Sequence, residues 1–426
     1  MMGRFFYTMG IYLLGLVIKA IAIFKPQVKK WVEGRKNWEE KLALQISHCI
    51  KKGERPVWLH AASTGEFEQG KPVLEALKAQ NPDIKIIVSF FSPSGFDASK
   101  KYSLADLICY LPLDTPTQAK RFIEIINTKL VLWVKYEYWW NHLATLKSKQ
   151  IPVLLVSAIL QPRHPITRWY GGWYRKMLAI FSHVFVQDQG TAQILSAFVN
   201  PENLTIAGDT RFDRVLAITQ KWKPIPLVEQ WIGGSNKVII AGSTWLDDVK
   251  LLSGPMKRLE GVKWILVPHK IDEGSIAQSL ELISDYLKFS DLEKNNELLN
   301  KDVNVLVLDA MGYLSRLYSY ATICYIGGGF TPTGIHNSLE AAVYSKPLVW
   351  GPRYDRYVEA MALIEVQGAF SVKEGPQLDA VINALLSDKA AYEKAAYAAG
   401  EYVMKNAGAT QKVLGHIYKN RLLTSE

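Results

Sequence analysis

Val57-Trp58-Leu59-His60 is a short, mostly apolar run. It gives way to Ala61-Ala62-Ser63-Thr64-Gly65-Glu66-Phe67-Glu68-Gln69-Gly70, a stretch of small, hydroxyl-bearing and acidic residues. A run this short, bounded by turn-forming residues, reads as a strand feeding a loop and then a helix. The same unit recurs. Apolar runs rich in β-branched residues stand at 84–90, 130–134, 153–156, 184–186 and 204–207, then at 238–241, 264–267, 303–308, 322–326 and 347–349. Longer helical stretches separate them. This βαβα alternation predicts an α/β fold with parallel sheets covered on both faces.

Between the two sets of runs lies 214–236, which contains Lys223-Pro224-Ile225-Pro226 and Gly233-Gly234-Ser235. Clusters of Pro and Gly without periodicity predict a linker. A chain of 426 residues suits two domains, or three. Two tandem Rossmann-like domains facing a cleft are therefore expected, of about six and five strands, the first at 31–213 and the second at 237–400. A hydrophobic segment at 1–30 precedes them, and a helix at 401–426 is expected to pack back on the first domain.

Composition excludes several classes. With 49% hydrophobic and 21% charged residues, the chain is neither disordered nor fibrous. Cys49, Cys109 and Cys324 lie far apart with no CxxC pair, which excludes a disulfide scaffold or zinc ribbon and suits a reducing compartment. Of the formal net charge of +10, residues 1–55 carry +7, from 11 Lys or Arg against four acids. The surplus sits beside an apolar segment, Phe5 to Phe24, whose only charge is Lys19. That placement favours a lipid surface over nucleic acid.

A helix over Phe5–Phe24 is about 30 Å long, close to the thickness of a bilayer core. Lys25, Lys29, Lys30, Arg35 and Lys36 follow it, so the positive-inside rule places the body of the protein in the cytoplasm. A cleaved signal peptide (Ala20-Ile21-Ala22 resembles a cleavage site), a core helix and a helix lying along the interface are the other readings.

The loop after Val57–His60 is not GxGxxG, and the second run ends in Ser89-Phe90-Phe91-Ser92 with no acid for an adenosine ribose, which argues against a dinucleotide oxidoreductase. Gly65 to Pro72 reads GEFEQGKP, close to a Walker A loop, but Pro72 replaces the magnesium-binding hydroxyl and two glutamates would repel phosphate. Pro72 reads instead as part of a helix start.

Glu66 sits at the carboxyl edge of a parallel sheet, where ligands bind. It reads either as a general base or as an ordinary first-turn glutamate. Tyr325-Ile326-Gly327-Gly328-Gly329 runs into Thr331 to Glu340, with a helix expected from about His336. Glycine amides and that helix N-terminus suit an anion, and Glu340 suits ribose hydroxyls. His336 and Glu340 at i, i+4 have no third ligand, so no metal is expected. Ala241-Gly242-Ser243-Thr244 suits phosphate, and His269 and Lys270 suit phosphate or base. Two aromatic stretches, YEYWW at Tyr136–Trp140 and RWYGGWYRK at Arg168–Lys176, suit a headgroup surface or plain packing.

Taken together, WLHAASTGE (58–66), SFFSPSGF (89–96), YLPLDTP (110–116), GDTRFDR (208–214), AGST (241–244) and GGGF…GIHNSLEAA (327–342) resemble the 3-deoxy-D-manno-octulosonic acid (Kdo) transferases of lipopolysaccharide assembly. The resemblance runs over nearly the whole chain. It implies a membrane-associated GT-B glycosyltransferase that moves Kdo from CMP-Kdo, with inversion and without a metal or cofactor, to the 6′-hydroxyl of a lipid A precursor (lipid IVA). By resemblance Glu66 is the base. Gly242, Ser243 and Thr244 contact phosphate, and His269, Lys270, Gly328, Gly329, Asn337 and Glu340 contact the donor. Ser94, Gly95, Glu137, Arg163 and Arg211 lie near the acceptor. The chain departs from the family pattern at Lys135, where an acid is usual, at His269-Lys270 in place of Arg-His, and at Ser157-Ala158-Ile159 in place of Asn-Ala-Arg. The alternatives are another lipid-linked GT-B enzyme with a UDP-sugar donor and a catalytically inactive, membrane-bound sugar-nucleotide binder.

Overall fold

A computed structural model describes residues 2–135, 137–161 and 163–424. Tyr136 lies outside the described residues. The chain divides into two compact units, 1–214 with 407–426, and 215–406.

The first unit carries a seven-stranded sheet of β1 (Val57–Ala61), β2 (Ile86–Phe90), β3 (Leu107–Tyr110), β4 (Leu130–Val134), β5 (Val153–Ala158), β6 (His183–Val186) and β7 (Leu204–Ile206). The order is 3-2-1-4-5-6-7 and every pair is parallel. Every residue of β1, β2, β4, β5 and β6 is buried, which is why their sequences are continuous apolar runs rather than alternating ones. Strand order reverses between β1 and β4, and the crevice beyond the carboxyl ends of such a pair is where open α/β sheets bind ligands.

The second unit repeats the plan with β8 (Val238–Thr244), β9 (Lys263–Pro268), β10 (Leu287–Lys288), β11 (Val305–Val307), β12 (Ile323–Ile326), β13 (Leu348–Trp350) and β14 (Ala369–Ser371), in the order 10-11-9-8-12-13-14 and all parallel. Its reversal lies between β8 and β12. The parallel α/β alternation expected from the apolar runs is the architecture observed. Three strands escaped the sequence reading, β3, β10 and β14, and each is a sheet edge. Of these, β10 (Leu287–Lys288) and β14 (Ala369–Ser371) are too short to form an apolar run, whereas β3 (Leu107–Tyr110) is apolar throughout and yet is not among the expected runs.

Four N-terminal helices concern function: α1 (Met2–Ile21), α2 (Pro26–Glu33), α3 (Trp38–Cys49) and α4 (Thr64–Gln80). Pro72 is interior to α4, not part of its start. The start is set by extended Ser63, and burial of Phe67, Val73, Leu74 and Leu77 carries the helix through the proline. Residues 214–236 hold the end of a helix (Thr210–Gln220) and all of another (Pro226–Ile232). The helix Ala409–Lys419 buries Val413, Leu414 and Ile417 in the same core as Leu59 and Leu74.

Segment Gly3–Ile21 is long and apolar enough to cross a membrane, by length and composition. It exposes Phe5, Phe6, Met9, Leu13, Leu16 and Val17. Its other side is docked on the first unit. Arg4 Nε donates to Asn141 Oδ1 at 2.8 Å, Tyr7 OH donates to Asp114 Oδ2 at 2.6 Å, and Asn141 Nδ2 donates to Thr8 Oγ1 at 3.1 Å. Asp114, Asn141 and His142 are completely buried, so this contact is specific rather than a loose apolar one.

Candidate functional site

The β1–α4 turn places Glu66 in the first turn of its helix, half-buried. The Ala62 backbone N–H donates to Glu66 Oε2 at 2.6 Å. Burial raises the Glu66 pKa above the usual carboxylate value; the Ala62 N–H opposes the rise, Glu137 adds to it, and His60 and Lys135 oppose it. Glu137 and Lys135 follow β4, the strand across the order reversal from β1. His60 sits in β1, fully buried, with Nδ1 2.9 Å from Ser89 Oγ and Nε2 3.5 Å from Glu137 Oε2. Trp139 Nε1 donates to the same Glu137 oxygen at 3.0 Å. Glu66 and Glu137 thus share one region with Lys135 beside them. Lys135 itself holds φ +60°, as Ser157 at the end of β5 holds +56°. Left-handed backbone at a residue other than glycine costs energy and clusters at functional sites.

The other expected residues of this unit fall at varied distances. Ser94 and Gly95 lie in the helix Pro93–Ser99; it starts at Ser92, whose N–H donates to the Ala62 carbonyl, so both adjoin the Glu66 turn. Arg211 pairs with buried Asp209 (Nε to Oδ2, 2.8 Å), and Gln69, one turn beyond Glu66, reaches Asp209 at 3.3 Å. Arg163 is exposed in the turn after β5, and no contact among the described residues joins it to Glu66. The aromatic stretches divide. Trp140 packs on Tyr7 and Trp139 on Phe91, whereas Trp169 is 92% exposed.

In the second unit, Gly242, Ser243 and Thr244 close β8 with a register shift at which Ser243 takes φ +55°. Gly327, at the end of β12, lies so close that a Cβ there would sit 2.3 Å from the Ser243 carbonyl oxygen. Gly328 has φ +92°, a conformation that favours glycine. Its N–H donates to Asp248. Around this turn, Trp245 Nε1 donates to His336 Nε2 at 3.0 Å, and the His269 ring stacks on both (4.7 Å on Trp245, 4.2 Å on His336). Burial lowers the His336 pKa to about 4, aided by His269. Lys270 Nζ stands 5.3 Å from the Trp245 ring centroid. The helix expected from His336 begins only at Leu339 and spans four residues. His336 instead remains in the extended loop, its N–H bonded to the Gly327 carbonyl, and Asn337 Oδ1 accepts the Leu339 N–H while Nδ2 donates to Glu340 at 2.9 Å. The sequence reading missed Asp248 and Trp245. Their only local signal is the acidic pair Asp247-Asp248 in the first turn of a helix (Leu246–Arg258).

Two Rossmann-like domains in tandem, each with a reversal in strand order, define a GT-B-type fold. The fold alone is shared with other enzymes. The UDP-GlcNAc 2-epimerase of Neisseria meningitidis aligns at TM-score 0.60 with 15% identity over 85% of this chain and 100% of that one. The enzyme of the same name from Methanocaldococcus jannaschii aligns at 0.54 with 13% identity over 86% and 99%. Sequence is more discriminating. Residues 36–214 match the family model described as 3-deoxy-D-manno-octulosonic-acid transferase. The 3-deoxy-D-manno-octulosonic acid transferase of Haemophilus influenzae is 26% identical over 382 residues, 84% of this chain and 85% of that one. That of Aquifex aeolicus is 28% identical over 347 residues, 80% and 88%. The chain is a glycosyltransferase. More particularly, residues 36–214 match the Kdo-transferase family model, and the chain is similar to Kdo transferases along most of its length.

Proposed function

We propose that the chain transfers Kdo from CMP-Kdo to an acylated, phosphorylated glucosamine disaccharide of the lipid A type, with Glu66 as general base. The observation that carries this is the setting of Glu66: a half-buried carboxylate in the helix-opening turn at the sheet's order reversal, held by the Ala62 N–H and with its pKa raised above the usual carboxylate value by burial. Glu66 takes the proton of the acceptor hydroxyl. The freed oxygen attacks the anomeric carbon of Kdo, the bond from that carbon to the phosphate oxygen breaks, and CMP leaves, with inversion. Lys135 adds positive charge beside the reacting groups.

The second unit would hold the donor. Ser243, Thr244 and the Gly327–Gly329 turn present hydroxyls and amides suited to phosphate, and the flat Trp245–His269–His336 group suits a base. Asn337 and Glu340 would meet the ribose. In this reading α1 lies along the cytoplasmic face of the inner membrane, because the side facing Asp114 and Asn141 is committed to the first unit while its apolar side is bare. The test is a mass measurement: purified protein, CMP-Kdo generated in situ and a tetraacylated disaccharide bisphosphate. A gain of one or more Kdo units is expected; transfer from a UDP-sugar but not from CMP-Kdo would defeat the reading.

A further inference from the structure

The first unit contains an apolar cavity of about 600 Å³ that the transfer chemistry does not use. Its size is ordinary for a ligand site. Tyr12 and Leu16 of α1 line it, with Trp31 and Val32 of α2, and Leu113, on which Gly15 rests. Three cations border it. Arg35 builds the wall: its guanidinium stacks 3.7 Å from the Trp31 centroid and donates to the carbonyls of Leu111, Trp31 and Phe91. Lys19 and Lys36 are exposed at the border.

The aromatic wall continues to Glu137 and the turn that carries Glu66. Trp31 meets Phe91 edge-on at 5.4 Å, Phe91 packs on Trp139 at 4.6 Å, and Trp139 donates to Glu137. Ser92, next to Phe91, bonds to Ala62, whose N–H holds Glu66. An apolar cavity with ammonium groups at its edge and an aromatic ledge leading to a base matches an amphiphile with an acyl chain, an anionic group and a hydroxyl.

We propose that this cavity seats an acyl chain of the acceptor while Lys19 and Lys36 meet its phosphate. This rests on the acceptor class proposed above and adds where the chain is held. Bilayer phospholipid offers the same acyl and phosphate chemistry, but only the acceptor needs a path from the cavity to Glu66.

The test uses the full chain on phosphatidylethanolamine–phosphatidylglycerol vesicles. One sample receives the tetraacylated disaccharide bisphosphate with a diazirine in one acyl chain, and another receives phosphatidylglycerol with the same group. Peptide mass spectrometry after illumination locates the label without requiring turnover. Label from the acceptor probe is expected in 12–19 and 31–38, displaced by unlabelled acceptor. Leu16→Trp, which fills the cavity from α1, is expected to lower that label and raise the acceptor KM about tenfold with kcat unchanged. Val32→Trp does the same from α2, and unchanged thermal midpoints show both variants folded. Label elsewhere, or label from phosphatidylglycerol that acceptor does not displace, overturns the proposal. Label in the cavity with no Kdo transfer would instead defeat the proposed reaction and leave the cavity assignment standing.

Discussion

Asp248 Oδ2 accepts the backbone N–H of Gly328 at 2.9 Å across eighty positions of sequence. The same oxygen accepts the Trp245 N–H, and Oδ1 accepts the Tyr325 hydroxyl, both at 2.8 Å. One fully buried carboxylate therefore ties the turn after β8 to the glycine turn after β12. Burial raises its pKa, and its three donors oppose the rise.

Asp248→Ala removes the acceptor shared by two buried backbone N–H groups and the Tyr325 hydroxyl. Each buried hydrogen bond lost this way costs about 1–3 kcal/mol. Thermal unfolding is expected to show that loss, and saturation kinetics a CMP-Kdo KM raised about tenfold with kcat less affected. An unchanged donor KM would mean that the glycine turn does not hold the donor.

Glu66→Gln removes the base while keeping size and polarity. The expected loss in kcat is about 10²- to 10⁴-fold, with KM values little changed. Glu66→Asp retains a carboxylate one methylene short and should fall in between. Activity of Glu66→Gln near that of the wild type would assign the proton to another group.

The charges around Glu66 predict opposite shifts in pH dependence. A base with a raised pKa loses activity as pH falls through that pKa. Glu137 raises it, so Glu137→Gln should move the acid limb of kcat/KM to lower pH. Lys135 lowers it, so Lys135→Met should move the limb to higher pH. Profiles of kcat/KM against pH decide this; two shifts in the same direction would contradict it.

His183 and His416 stack at 4.0 Å where the helix Ala409–Lys419 meets β6. Burial, and then His416, lowers the His183 pKa to about 4. An unfolded histidine titrates near 6.5, so the unfolded chain binds more protons between about 4 and 6.5. Stability from this contact is full above about 6.5 and falls away as pH drops toward 4, by an amount on the order of 2 kcal/mol. Amide exchange in 409–419 at pH 7.5 and pH 5 should show protection lost at pH 5, and less loss in His183→Gln.

The sequence alone determined the parallel α/β plan, because strands buried on both faces must be apolar throughout, and β1, β4 and β8 announce themselves that way. It also placed Glu66 at a strand-to-helix turn and marked the N-terminal segment as apolar and basic-flanked. Edge strands β10 and β14 left no such trace, since two or three half-covered residues form no apolar run, whereas β3 (Leu107–Tyr110) is apolar and was legible. Nor could spacing reveal the tertiary pairings, His60 with Glu137 or Asp248 with Gly328, because burial of a polar group is settled by what the distant chain brings to it. The same holds for α1. Its composition is that of a membrane segment, but Asp114 and Asn141, more than a hundred residues on, decided that its polar side is fastened to the first unit.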